Sequence, residues 1–517
     1  MLEKSLILLL FFVVTVYVGF ISRKRAMDVT GYVLGGRNMG AWMTAFAYGT
    51  SYFSAVVFVG YAGQFGWKYG VSSVWIGLGN AFIGSLLAWI VLGRRTRVMT
   101  HHLNAATMPD FFGKRYNSDA IKILSSAIIF IFLVPYTASI YNGLSRLFGM
   151  AFDVPYVACV IVMALLTGLY VVLGGYVATA INDFIQGLVM LAGIAMVIWA
   201  VLSGQGGFLS ALQKLSVFES DVAATAGQAG AFTSFFGPDP INLLGVVILT
   251  SLGTWGLPQM VHKFYTIKNE KAISTGTVVS TAFAVIVAGG CYFLGSFGRL
   301  FDNPSLHNPE TGGVVYDAVV PFMLSTLPDI LIGVVVILVL SASMSTLSSL
   351  VLTSSSTLTL DFIKGNLLKE MSEKTQLLYI RIFVMVFICI SVFLALDPPT
   401  FIAQLMGISW GALAGSFLAP FLYGLYWKQV SRAAVWASFI CGVGLTISNM
   451  IFKFIASPIN AGAAAMLLSL LIVPLVTVLF KNKEEQHVEE IFSCYDETVV
   501  VPKRLALSHN GNGNGEN

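Results

Sequence analysis

Residues 341–359 read SASMSTLSSLVLTSSSTLT, and 12 of these 19 residues carry a hydroxyl. The run lies inside 328–360, a stretch otherwise as apolar as lipid. About 20 apolar residues cross a bilayer core as a helix, so the stretch predicts a membrane helix with one unusually polar side. Ser341, Ser345, Ser348 and Ser349 recur at i, i+4, i+7 and i+8 and share one helix face, with Thr346 beside it. Two readings are open at this point. Small hydroxylated residues let membrane helices approach closely and can bond back to their own backbone. Neutral oxygens within a membrane helix are also what an alkali cation needs once it has shed its water. The distal residues, Thr353 to Thr359, read as helix packing.

The surrounding chain sets the context. It has 517 residues, is 56% hydrophobic and 10% charged, and has a mean hydropathy of +0.82. That balance excludes a soluble domain and predicts an all-α polytopic membrane protein. Thirteen spans are expected, near 5–21, 42–66, 71–93, 121–149, 154–174, 181–203, 242–266, 275–298, 328–360, 376–396, 401–427, 433–455 and 460–480. With the N-terminus outside and the C-terminus cytoplasmic, the cytoplasmic segments collect Arg23 to Arg25, Arg94, Arg95, Arg97, Lys114, Arg115, Lys364, Lys428 and Arg432. The outer loops are poor in Lys and Arg, which is the positive-inside pattern. The N-terminal apolar stretch is followed directly by Arg23, Lys24 and Arg25 and reads as a retained span rather than a cleaved signal. Four of the five cysteines lie in apolar segments and show no metal-ligand spacing. No Walker sequence occurs, so ATP is not the expected energy source; no nucleic-acid partner is expected.

Two spans combine polar residues with helix breakers. The second has Gly49, Gly60, Gly63 and Gly66 among Thr50, Ser51, Tyr52 and Ser54; the seventh has Gly245, Gly253, Gly256 and Pro258 with Thr250, Ser251 and Thr254. Each opens a five-span block, 42–203 and 242–427, as interrupted helices do in transporters built from inverted repeats. Proline removes a backbone donor and stops a regular helix. Unwound backbone at membrane depth is tolerable where it lines a cavity or binds something.

Asp183, in TAINDFIQGLVM, begins a long apolar run with no Lys or Arg within seven residues on either side. It reads either as a helix cap or as a ligand for a cation, since an intramembrane carboxylate is costly unless it is paired or faces water or an ion. A carboxylate with several serine hydroxyls suits a monovalent cation by the hard-oxygen logic of calcium and magnesium sites.

Five motifs together give a family resemblance: GGRNMGAWMTAFAYGTS at 35–51, TMPDFFGKRY at 107–116, NDFIQG at 182–187, SASMSTLSS at 341–349 and GLYWKQVSRAA at 424–434. The chain resembles the sodium:solute symporter family, which includes sodium/proline, sodium/pantothenate and sodium/sugar carriers. The resemblance implies a LeuT-like 5+5 inverted repeat with one extra N-terminal helix (5–21) and two extra C-terminal helices (433–480). It implies one sodium at Thr50, Phe53, Ala342, Ser345 and Thr346, and suggests a second at Asp183, Ser345, Ser348 and Ser349. Candidates for the solute cavity are Tyr52, Ser54, Tyr136, Thr250, Trp255 and Gln404, of which Tyr136 matches a tyrosine of the proline carriers. Two positions depart from those carriers: Tyr52 stands where they have an aspartate, and Thr250 where they have a tryptophan.

The expected function is sodium-coupled import of a small organic solute, an amino acid such as proline or a pantothenate-like carboxylate, by alternating access. A monomer in the bilayer suffices for it, and no enzymatic step is expected. The rival readings are a channel or sensor of the same fold and a membrane transferase. A channel needs a filter of charged or carbonyl rings, and a transferase needs clustered catalytic groups. His101 and His102 read as loop and Asp110 as a helix cap. The long loops 204–241 and 299–327 are expected to fold over the outer mouth, and the tail 481–517 is expected to be disordered.

Overall fold

In the computed structural model, residues 2–152, 154–368, 370–482 and 484–496 are described. The described chain is built of helices and the turns between them, with no strand beyond isolated bridges. Nine of its helices are long and apolar enough to cross a bilayer, or ten when the bent pair 240–266 counts as one crossing. Two of the nine, Val56–His102 with 47 residues and Tyr156–Gly204 with 49, exceed a single crossing. Glycines with positive φ break both runs: Gly70 (φ 58°, ψ −137°) and Gly175 (φ 53°, ψ −146°). These breaks separate the sequence-expected spans 42–66 from 71–93, and 154–174 from 181–203. At Gly175 a side chain has no room, because a Cβ would lie 2.6 Å from the Tyr32 carbonyl oxygen.

The predicted interruptions are present. Ala41–Tyr52 ends at Phe53, whose backbone is extended (φ −97°, ψ 93°), and a widened helical turn, Val56–Tyr61, resumes beyond it. Pro240–Gly256 and Pro258–Thr266 meet at a 44° bend, with Leu257 extended (φ −80°, ψ 122°) and Pro258 opening the second half. Close approach of helices rests on small residues: a Cβ at Gly66 would sit 2.0 Å from the Gly295 carbonyl oxygen.

The hydroxyl-rich helix, Asp329–Thr357, lies at the centre. Every side chain from Leu338 to Thr357 is buried. Its most apolar window is 78% buried, against 33% for Glu373–Leu396, which identifies the latter as peripheral. A helix polar on one side survives at the centre because other helices, not lipid, meet its hydroxyls.

Basic residues gather at one end of the bundle. Thr107 caps Met108–Arg115 by accepting from the Asp110 amide, so the cap is Thr107 rather than Asp110. The Asp110 carboxylate instead pairs with Lys114 (2.9 Å) and Lys122 (2.8 Å). Burial alone would raise its pKa, but those two ammonium groups outweigh burial and hold it below the usual carboxylate value. Lys122 also reaches Asp361 (3.4 Å), which accepts from the Thr107 hydroxyl (2.5 Å). This network ties the Thr107 loop to the end of the serine-rich helix. His101 and His102 are exposed at the end of Arg94–His102, and the described residues contain no group of three or more His, Cys, Asp or Glu suited to a metal.

The start of the tail departs from the expected disorder. Glu485–Phe492 is helical, and its Val488, Ile491 and Phe492 are buried on one face, an amphipathic pattern that the low-complexity end of the tail obscures. His487 bonds the Lys114 carbonyl (2.9 Å), and Arg115 stands 5.0 Å from the centre of the Phe492 ring. Residues 497–517 lie outside the described residues. At the opposite end, Arg299 pairs with Asp221 (2.6 Å), joining the two long loops.

Candidate functional site

The break at Phe53 brings the Thr50 carbonyl against the serine-rich helix. The Thr50 hydroxyl donates to the Phe46 carbonyl of its own helix (2.8 Å), so the Thr50 carbonyl is the group that faces across. The Ser345 hydroxyl lies 2.9 Å from that carbonyl and 3.0 Å from the Ala342 carbonyl. The Thr346 hydroxyl lies 3.1 Å from each. Four neutral oxygens thus converge in a buried place, two of them hydroxyls whose hydrogens rotate freely and whose lone pairs can turn to a cation. Phe53 marks the break and shares with Ala342, Ser54 and Met190 the wall of a small enclosed cavity beside these oxygens. Thr50, Ala342, Ser345 and Thr346 are therefore brought together as expected, with Phe53 adjoining.

One helical turn further on, the environment changes. Asp183 is fully buried, and neither carboxylate oxygen accepts a hydrogen bond. It lies within a helix, not at a helix start, which removes the capping reading. Its charge partner is Lys263, whose Nζ is 3.7 Å from Asp183 Oδ2. The same ammonium donates to Ser349 Oγ at 3.0 Å, and Ser349 shares a 2.8 Å hydrogen bond with Ser51 of the first broken helix. Lys263 also stands 5.2 Å from the centre of the Tyr176 ring, a cation–π distance. Ser348 turns back to the Ser345 carbonyl (2.9 Å). Two of the residues expected to hold a second sodium, Asp183 and Ser349, therefore face a lysine, while Ser345 and Ser348 do not bond it. Asp183 has no cation near it in sequence; the one it has in space comes from the second broken helix. The sequence signal was available, because Lys263 stands alone inside the apolar span 242–266 and an intramembrane lysine calls for a carboxylate.

The solute candidates separate into two groups. Tyr52 donates to the Thr250 carbonyl (2.6 Å), which links the two broken helices directly. The Tyr52 ring stacks on Trp410 (5.5 Å), and Tyr136 meets the same indole edge-on (5.8 Å). The Tyr136 hydroxyl and the Trp410 Nε1 are buried without a hydrogen-bond partner. Ser54 accepts from the Val56 amide just past the break. Tyr52 and Tyr136 thus converge on Trp410, with Thr250 tied in through Tyr52; sequence reading passed over Trp410 because it sits in a run of small residues, GISWGALAG. Trp255 and Gln404 do not join them. The Trp255 indole donates to the Ile83 carbonyl (3.0 Å). Gln404 accepts from Thr400 and lines a separate cavity of about 570 Å³ with Gln64, Trp67, Asp221, Arg299 and Tyr316. The two long loops supply part of that cavity's wall.

Comparison with known proteins shows the family. The model of the sodium:solute symporter family matches residues 32–442. The osmoregulated proline transporter OpuE of Bacillus subtilis is 26% identical over 477 residues, covering 89% of this chain and 93% of its own. The sodium/proline symporter of Staphylococcus aureus is 30% identical over 461 residues, covering 86% and 85%. Among solved structures, a sodium-coupled sialic acid symporter in a substrate-bound outward-open state has a TM-score of 0.74 at 15% identity, covering 93% of this chain and 98% of its own. At that identity the likeness concerns the fold. The chain belongs to the sodium:solute symporter family, a multi-pass membrane protein whose function is sodium-coupled solute symport.

Proposed function

We propose that the chain imports a small amino or carboxylic acid, proline being the first candidate, by alternating access. The reading rests on one observation above all: the Ser345 and Thr346 hydroxyls meet the Thr50 and Ala342 carbonyls at the break of the first interrupted helix. Sodium bound there joins the broken helix to the serine-rich helix and favours the state that accepts solute. Coupling is then a reciprocal binding free energy between ion and solute, and no covalent chemistry is needed. Phe53 completes the ion site through its backbone carbonyl.

The solute lies against Tyr52, Tyr136 and Trp410, between the two broken helices. The aromatic faces suit an apolar ring, and the unpaired Tyr136 hydroxyl and Trp410 Nε1 suit a polar group on it. The names of the relatives support proline. The tyrosine and threonine at 52 and 250 change the two sides of the pocket, so related solutes belong in the first screen. Splitting the two long runs at Gly70 and Gly175, counting the bent pair 240–266 as one crossing, and adding Leu2–Ser22 gives thirteen crossings. With that count, the basic end is cytoplasmic, the N-terminus is outside the cell membrane, and the inverted repeats run over 42–203 and 242–427. A single chain contains every residue of this reading.

Labelled proline uptake into proteoliposomes, with and without an inward sodium gradient, tests it. Uptake should require the gradient and fall in Ser345→Ala. Uptake that follows a proton gradient and ignores sodium overturns the ion assignment. Sodium-dependent uptake of another acid in place of proline overturns the solute alone.

A further inference from the structure

Lys263 has no part in the function derived above, yet it is one of the most deeply buried charges in the molecule. We propose that its ammonium is a tethered cation that holds the place of a second sodium, so that the chain binds one sodium per cycle. The inference rests on the sodium-coupled reading and concerns only how many ions that reading involves.

Four observations carry it. Asp183, Ser348 and Ser349 are the groups that would hold a second ion beside Ser345, and the ammonium already engages two of them, 3.0 Å from Ser349 Oγ and 3.7 Å from Asp183 Oδ2. A sodium bonded to both residues would sit beside it, like charge against like charge in a buried place. An ammonium donates up to three hydrogen bonds and accepts none, so it uses the same acceptor oxygens a metal ion would use. Lysine also brings its charge on the chain itself, from Pro258–Thr266 of the second broken helix. It therefore joins that helix to the helix bearing Asp183, to the serine-rich helix and, through Ser349, to Ser51 of the first broken helix. A free ion would make this connection only while bound; lysine makes it permanently. The first position differs: its four converging oxygens are neutral, and among the described residues no lysine or arginine bonds them.

Asp183 keeps both oxygens free of hydrogen bonds, so it retains the capacity to bind an ion once the ammonium is gone. Lys263→Met removes the charge and keeps much of the side chain's length. Radioactive sodium binding to the purified full-length chain in detergent counts the ions. Wild type should bind one sodium per chain with a Hill coefficient near unity, and Lys263→Met should bind two. Lys263→Met combined with Asp183→Asn should return to one. A wild-type count of two overturns the proposal whether or not the variant folds, and so does a count of one in folded Lys263→Met. A wild-type count of zero overturns the sodium reading itself, and with it this proposal, which separates the two failures.

Discussion

Two places on one helix, a turn apart, solve the problem of polarity in a membrane in opposite ways. At Ser345 and Thr346 the partners are neutral carbonyls, and every hydrogen bond there can be exchanged for a cation contact by rotating a hydroxyl. At Ser349 the partner is a charged side chain that is itself bound to a carboxylate. The first arrangement is reversible and suits an ion that must come and go. The second is fixed by covalent attachment and suits a structural link. Serine residues that look alike in sequence are thus divided by what faces them.

The largest effect should come from breaking the charged place on one side only. Asp183→Asn leaves the Lys263 ammonium buried without its counter-charge, and losing one member of a buried pair costs about 3–5 kcal/mol. The thermal midpoint in detergent should fall steeply, and adding Lys263→Met should recover most of the loss. A single variant as stable as wild type would show that the pair is not coupled and would erase the contrast. The neutral place should respond in binding and not in stability. Ser345→Ala removes one oxygen from the cation, a contact worth about 2 kcal/mol, so the half-saturating sodium concentration should rise about 30-fold. A rise confined to solute KM would move the ion elsewhere.

Away from both places, Asp110 gives a smaller and pH-dependent effect. Its carboxylate pKa is depressed, so its pairing stabilises the fold above the ordinary value, near 3.9, and that stability is lost as pH falls through the depressed value. Asp110→Asn should lower the thermal midpoint at pH 7, by an amount equivalent to about 1–2 kcal/mol, and the gap to wild type should narrow on acidification. A gap that is constant with pH would mean that the carboxylate acts by shape alone. The smallest effect belongs to Tyr52→Phe. It deletes the hydrogen bond to the Thr250 carbonyl, about 1 kcal/mol, while keeping the stack on Trp410. Proline KM should rise about 5-fold with sodium affinity unchanged. Loss of sodium affinity as well would place Tyr52 between the two sites.

Much of this was legible in the chain itself. Hydropathy identified a polytopic helical membrane protein, and Pro258 and the glycines near Thr50 marked the two interruptions, because local backbone chemistry decides both. The spacing of Ser341, Ser345, Ser348 and Ser349 gave the shared face for the same reason. What could not be read was which residue stands opposite that face. Lys263 and Asp183 are 80 positions apart in the chain, and Trp410 reaches Tyr52 from the far half. Such meetings are fixed by helix packing: lone charges such as Lys263 and Asp183 in apolar spans signal that each needs a partner, but not where that partner stands. Trp255 carries the same lesson: its indole donates to the Ile83 carbonyl, a partner 172 positions away in the chain.

The network of Thr107, Asp110, Lys122 and Asp361 also bears on rate. A motion that separates the segments bearing Lys122 and Asp361 would part this pair, in which Lys122 is 20% exposed and Asp361 1% exposed. Mobile counter-ions weaken such partly wetted pairs, whereas they have little access to oxygens at the centre of the molecule. The speed of turnover is therefore expected to vary with ionic strength even where sodium occupancy is saturated. Raising a choline salt at constant sodium separates the latch from the ion it guards.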